Sequence, residues 1–319
     1  DSTANRTILF MDRNQDFAVD SSDLRLEFNG NVPLGVASFS SGTVLAKLGT
    51  AGNDTNASLP ASNGADMLLG GRGNDSLDGA EGSDYLSGNK GNDTLEGGNG
   101  DDLLLGGRDA DVLRGQQGAD TLHGGSGNDT LEGGDGDDYL YAAGSEDFEV
   151  DPATDAVAGH NRLFGGIGSD HLLGDAGNDL LDGGGDDDAL HGGAGDDRLW
   201  GQGNDDLLGG GEGNDTLVGG AGFDTLHGGN GADTADFGTA ASGVVADLSS
   251  GSASDDGEGG SDVLEFVENL AGSGYGDTLK GDDGENTLDG RGGSDTLGGG
   301  LGNDRLWGGT GADSLVGGD

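Results

Sequence analysis

The stretch GGSGNDTLEGGDGDDYLY, residues 124 to 141, holds six glycines and four aspartates but only two leucines. Its composition is that of a solvated linker. Yet Leu131 and Leu140 stand nine residues apart, as do the pairs Gly124–Gly125 and Gly133–Gly134 and the acids Asp129 and Asp138. A linker has no reason to keep such a phase.

The phase runs through most of the 319 residues. Written as GGxGxDxUx, with U a large apolar residue, the pattern gives nine units from Ala61 to Tyr141, eight from Gly165 to Asp236 and five from Gly272 to Val316. A degenerate unit, GTAGNDTNA at 49–57, precedes them. Among the 22 units the sixth position is Asp in 21, the exception being Asn286, and the eighth is Leu in 21, the exception being Ala235. The fourth is Gly in 18, and its departures are Asp109, Asp186, Asn204 and Tyr275. Asp and Asn are the non-glycine residues that best tolerate positive φ. The fourth position therefore belongs in a left-handed turn, with Tyr275 the exception at the edge of an array. Six residues of turn leave three, x-Leu-x, for a short strand whose leucine points one way and whose flanking residues point the other. Two turns and two strands make an 18-residue coil. Stacked coils make an all-β, flattened parallel β-solenoid with Leu inside and Asp lining each turn.

Composition sets a condition on that fold. Leu, Ile, Val and Phe together number 63, and 61 acids against 13 Lys plus Arg give a formal net charge of −48. Chains of this kind are usually disordered. One buried leucine per nine residues returns less than the entropy of ordering them, and stacked acidic turns repel one another, so a cation must bridge them. Carboxylates and open turn carbonyls are hard oxygen donors that suit Ca²⁺ better than Mg²⁺ or softer metals. The same charge argues against nucleic acid or anionic membrane as partners. There is no cysteine, hence no disulfide or thiolate zinc site, and no run approaches the roughly 18 apolar residues of a membrane helix.

In these repeats the sequence resembles the RTX (repeats-in-toxin) family, the nonapeptide-repeat region of bacterial proteins exported by type I secretion. The resemblance implies a right-handed parallel β-roll in which each Ca²⁺ lies between turns two units apart, held by the sixth-position Asp of each and by backbone carbonyls. Carried onto this chain, the ligands are Asp66, Asp75, Asp84, Asp93, Asp102, Asp111, Asp120, Asp129 and Asp138 in the first array. Asp170, Asp179, Asp188, Asp197, Asp206, Asp215, Asp224 and Asp233 follow in the second, and Asp277, Asp295, Asp304 and Asp313 in the third. One site joins Asp111 to Asp129 and another Asp179 to Asp197. With two fewer complete sites than units in each array, the chain takes about 16 Ca²⁺. Asn286 removes one carboxylate and weakens its site. The resemblance further implies passage through an exporter unfolded and folding on calcium outside, in the medium or on the bacterial cell surface.

Around the arrays the organisation reads as follows. Residues 1–48 form an N-terminal β segment in which TILFM and LRLEF look like strands. Between them DRNQDFAVDSSD sets Asp12, Asn14, Asp16, Asp20 and Asp23 at positions 1, 3, 5, 9 and 12 of an EF-hand-like loop. Phe17 stands where Gly is wanted and Asp23 is shorter than the usual Glu, so the loop reads either as a calcium site or as an acidic turn. The first array, 49–141, leads to a connecting loop, 142–164, that closes one roll and opens the next. The second array, 165–236, is followed by a non-repeat β segment, 237–271, resembling those that cap the open end of a roll. The third array, 272–319, ends in what looks like the start of another unit, as in a piece of a longer chain.

No HExxH, GxSxG or GxxxxGK[ST] occurs. His123, His191 and His227 fall at the ninth position and His171 at the seventh, all expected outward and none beside a second His as a zinc pair would be. Catalysis is not expected of these residues. At the ninth position of the first array, Asp78, Glu96, Arg114 and Glu132 fall on one sheet, and Leu69, Ser87, Leu105, His123 and Tyr141 on the other. Trp200 and Trp307 share that position further on, where indoles either stack on sugars and neighbouring copies or lie covered. The expected function is a calcium-binding structural module of a secreted or cell-surface protein that folds after export and serves adhesion, surface-layer or matrix assembly. The alternative is an accessory module of an extracellular enzyme (a polysaccharide-modifying enzyme, lipase or protease) whose catalytic domain lies elsewhere.

Overall fold

The computed structural model describes residues 7–11, 24–28, 45–48, 52–54, 61, 63–142 and 159–318. TILFM and LRLEF are strands, Thr7–Met11 and Leu24–Phe28, paired antiparallel. The loop from Asp12 to Asp23, a calcium site or an acidic turn on its sequence, lies outside the described residues.

From Leu45 onward the described residues build a parallel β-solenoid in which strands pair 18 residues apart within the arrays, for example Leu104 with Leu122 and Leu122 with Leu140. Alternate strands feed two sheets of 16 and 12 strands. The leucine of each unit points between them, and those from Leu68 to Leu297 are at most 3% exposed. The turn between successive strands carries the chain from one sheet to the other, so successive units turn their leucines inward from opposite sides, and one thin core serves both sheets.

The strands of the first two arrays are longer than the x-Leu-x expected. Thr121–Ser126 and most of its counterparts run six residues, through the glycine pair of the next unit. The pair extends because its first glycine leaves the ladder, the register passing from Leu105 and His123 directly to Gly107 and Gly125, and its second takes positive φ. This second position tolerates side chains in the left-handed region: Ala80, Asn89, Gln116, Asp175 and Gln202 have φ of 70–83°. At the fourth position Asp109, Asp186 and Asn204 have φ of 76–78°, as their identity requires, and Tyr275 is not among the positive-φ residues.

The stack does not close at Tyr141. Tyr139–Tyr141 pairs with His171–Leu173, and Thr130–Asp135 with Arg162–Ile167. The last residues of the expected connecting loop, GHNRLF at 159–164, thus belong to the stack, with Leu163 fully buried. Nor does the segment 237–271 sit at an end. Its strands Val245–Asp247, Ser252–Asp255 and Asp262–Glu265 are spliced into the larger sheet between Thr225–Asn230 and Thr278–Lys280, antiparallel to one another. On the other sheet Asn269–Ala271 carries the parallel stacking directly from Thr234–Asp236 to Thr287–Asp289.

Candidate metal centre

Each turn brings the sixth-position Asp to the coil boundary, where it is buried. Asp66 to Asp138 and Asp170 to Asp233 are at most 4% exposed, as are Asp277 and Asp295. Asp304 and Asp313, at the last coil, are half-buried. From Asp84 to Asp138 and from Asp188 to Asp233 one carboxylate oxygen is committed to the backbone, Oδ1 accepting the N–H of the sixth-position Asp one coil earlier. Asp111 N–H donates to Asp129 Oδ1 at 2.9 Å and Asp179 N–H to Asp197 Oδ1 at 2.7 Å. Both pairs inferred as shared sites are brought together.

The other oxygen has no such partner. From Asp75 to Asp233, every sixth-position Asp of the arrays keeps Oδ2 buried with no hydrogen-bond partner, as do Asp295 and Asp304. A buried carboxylate oxygen without a donor costs more than a hydrogen bond returns. Burial accordingly pushes the Asp111 carboxyl up to about 9, with neighbouring carboxylates adding to it and the N–H of Asp93 opposing. Asp102, Asp170 and Asp206 rise to about 8, burial again the chief cause.

These oxygens point at the first glycine of their own unit. A methyl group on Gly115 would collide with Asp120 Oδ2 and lie 2.7 Å from Gly133 O, and one on Gly133 would collide with Asp138 Oδ2 and lie 2.6 Å from Gly165 O. The space that glycine leaves open is therefore edged by a carboxylate oxygen and a carbonyl of the next coil. Among the described residues no group gathers three or more His, Cys, Asp or Glu side chains able to hold a metal, so a cation here would take two carboxylates at most and complete its shell from backbone oxygens. That donor set fits Ca²⁺.

Three residues outside the units continue the two rows of aspartates. Asp129 N–H donates to Asn161 Oδ1 and Asn161 N–H to Asp179 Oδ1. Asp224 N–H donates to Asp262 Oδ1 at 3.2 Å, and Asp233 N–H to Glu268 Oε2 at 2.9 Å. The nine-residue frame hides them because insertions of different length precede them. Each nonetheless stands two residues before a buried leucine, Leu163, Leu264 or Leu270, and that local pair was the signal available.

A second ladder, also unread in the sequence, runs the opposite way. Fifth-position Asn or Asp side chains accept the N–H one coil later: Asn92 N–H to Asn74 Oδ1 at 3.1 Å, Ala119 N–H to Asp101 Oδ1 at 3.0 Å, Asn214 N–H to Asp196 Oδ1 at 2.8 Å. In the coil that follows the first insertion His160 Nδ1 takes this part, accepting from Asn178.

Outside the turns the sheets differ as the ninth positions indicated. Arg114 bridges Glu96 and Glu132 at 3.7 and 2.8 Å on the smaller sheet, and His123 stacks on Tyr141 at 4.7 Å on the larger. His123, His171, His191 and His227 all face outward. Trp200 is half-buried and Trp307 is 55% exposed. No helix among the described residues is long and apolar enough to cross a membrane.

Stacked 18-residue coils with buried aspartates at the turns define a parallel β-roll whose turns present oxygen donors to a cation. The RTX calcium-binding nonapeptide repeat, taken four copies at a time, matches residues 60–95, 78–113, 87–122, 114–149, 155–190, 182–217, 209–240, 271–306 and 298–319. The chain belongs to this calcium-binding family. No relative among curated proteins matched it.

Proposed function

We propose that this chain is a calcium-conditioned structural module of a secreted or cell-surface bacterial protein, exported by type I secretion and folding on the calcium it meets outside. The observation that carries the reading is the row of buried carboxylate oxygens without donors from Asp75 to Asp233. Without a cation these oxygens oppose the fold; with one between coils they become its strongest contacts. Some 16 ions fill the turns, and the coils themselves do no catalysis. The outer face of the larger sheet, with Tyr139 stacked on His171 and His123 on Tyr141, supports a part in adhesion or assembly against extracellular polysaccharide or neighbouring copies.

Titrating calcium into the chelated chain while following far-ultraviolet circular dichroism tests the reading. The expected outcome is one steep coil-to-β transition in the submillimolar to millimolar range usual for extracellular calcium modules. A spectrum unchanged up to about 10 mM would overturn it.

A further inference from the structure

On the outer face of the larger sheet one rung of side chains is missing. The ninth-position column runs Leu173, His191, Gly209, His227 and Glu265 in successive coils, each in register with the next. Rings on adjacent coils of this sheet stack on one another, His123 on Tyr141 at 4.7 Å and Tyr139 on His171 at 4.9 Å, each pair within 9° of parallel. His191 and His227 stand two coils apart with no side chain between them. The gap therefore has room for one further ring, a coil's pitch from each imidazole.

The backbone does not ask for glycine at 209, whose φ is not positive, unlike those of the turn glycines. A methyl group there would lie 3.0 Å from His191 Nδ1, so that nitrogen overhangs the gap. The His227 wall is braced from the far side, where its Nδ1 lies 3.2 Å from Glu265 Oε2 and its ring 4.8 Å from that of Phe266. Phe266 has a φ of 52°, a strained conformation for a bulky residue, yet its ring is 65% exposed. A strained residue that holds an apolar ring in solvent beside a missing rung points to a ligand. A groove of about 920 Å³ opens over the gap, runs along five coils from His171 to Phe266, and is also lined by Glu212 and Asn230.

Charge narrows the class of guest. From Met67 to His227 the residues flanking the inward leucines of this sheet include no Asp, Glu, Lys or Arg, although the chain carries a net charge of −48. Such a strip offers no cation to an anionic ligand, and the field of the whole chain repels both anions and second copies. An aromatic side chain of a partner would fill the gap but leave the imidazole nitrogens, Glu212 and Asn230 unused. A sugar ring turns a C–H face to each imidazole and its hydroxyls to those polar groups, the usual division of labour in a concave site.

We propose that the gap at Gly209 is a slot for a neutral pyranose ring of an extracellular polysaccharide, clasped between His191 and His227. The proposal rests on the reading of the larger sheet as an adhesive face and adds the place and the ligand class.

The test titrates the whole chain, in saturating calcium, with neutral oligosaccharides of gluco, manno and galacto configuration, with oligogalacturonate of matched length, and with indole. The readout is the ring-proton NMR signals of His191 and His227, beside retention of the chain on the corresponding immobilised polysaccharides. A neutral sugar is expected to shift both histidines and oligogalacturonate to shift neither. Gly209→Tyr, which fills the gap with a ring of its own, should abolish the binding at an unchanged calcium midpoint of folding. His191→Ala and His227→Ala, both at outward positions, should each weaken it about tenfold. Sugar binding undiminished in the two Ala variants, indole or oligogalacturonate shifting the histidines where neutral sugars do not, or signals that move with protein concentration alone would overturn the slot. Retention with both histidines unmoved would overturn the slot and leave the adhesive reading standing, whereas a chain retained on no polysaccharide would overturn both.

Discussion

The coils from Gly70 to Tyr141 and the stretch from Phe237 to Arg291 stack on the same two sheets but settle their buried acids differently. In the first, Asp75, Asp84, Asp93, Asp102, Asp111, Asp120, Asp129 and Asp138 each leave one buried oxygen without a donor. In the second, the protein supplies donors. Asp256 accepts the N–H groups of Glu258, Gly259 and Gly260 at 2.7–3.1 Å. Ser273 gives both its N–H and its hydroxyl to Asp277 at 2.9 and 2.7 Å. Arg291 pairs with Asp236 at 2.7 Å and donates to Gly272 O at 2.9 Å. The regular repeat is thus simple in sequence and leaves one buried oxygen per turn open to calcium, whereas the irregular stretch meets its acids with donors from its own varied side chains and backbone.

The largest effect that would break this contrast comes from removing calcium. In a descending calcium series, hydrogen exchange of amides in 70–141 and 165–236 should reach unfolded rates first, with 237–291 keeping protection longest. Equal loss across both regions would show that the donors around Asp256 and Asp277 make no difference.

Acidity tests the same carboxylates from the other side. In chelator, burial holds them between about 6 at Asp75 and about 9 at Asp111, above the ordinary 3.8. A folded pKa above the unfolded one means that the fold retains protons the open chain releases. This contribution is complete below the unfolded pKa and is lost as pH rises through the folded values. Lowering the pH of the chelated chain from about 8 to about 5 should therefore increase β-structure by circular dichroism. With calcium bound the direction reverses, because protons compete with the ion for the same oxygens.

At the level of one turn, Gly115→Ala places a methyl group in the cradle beside Asp120 Oδ2 and Gly133 O. It should cost about 1–3 kcal/mol by denaturation in calcium and lower the number of bound ions. Gly298→Ala, whose methyl group would meet nothing within 4 Å, should stay within about 0.5 kcal/mol. Arg291→Ala removes a half-exposed ion pair and a carbonyl cap, and its calcium-dependent effect is the smallest of all. About 1 kcal/mol is expected, equally at low and at saturating calcium, which separates it from every substitution in the regular turns.

Much of this molecule was legible in its residues because the chemistry repeats. The Asp and Leu phases specified the coil, its inward face and the metal-facing acid, and Asp109, Asp186 and Asn204 disclosed the left-handed fourth position. What stayed hidden depends on tertiary context. Gln116 and Gln202 gave no hint of positive φ at the second position, since Gln has no special tolerance for it. Asn161, Asp262 and Glu268 join the rows only because neighbouring coils hold them there, after insertions that erase the nine-residue count. The forward ladder of fifth-position side chains was masked by ordinary Asn and Asp composition in a chain already crowded with both.

The alternation of sheets makes parity a heritable property of this chain. Gain or loss of two units leaves every later side chain on its own face, with Arg114 still between Glu96 and Glu132. Gain or loss of one would transpose all that follows: Tyr141 and His123 would part, and acids from one face would be dealt onto the other. The insertion before Asn161 obeys the same arithmetic, since Asp129 to Asn161 and Asp138 to Asp170 are both 32 residues apart, one 18-residue coil plus an excursion. Lengthening such a molecule is safe in pairs of repeats, or by loops that return to where they left.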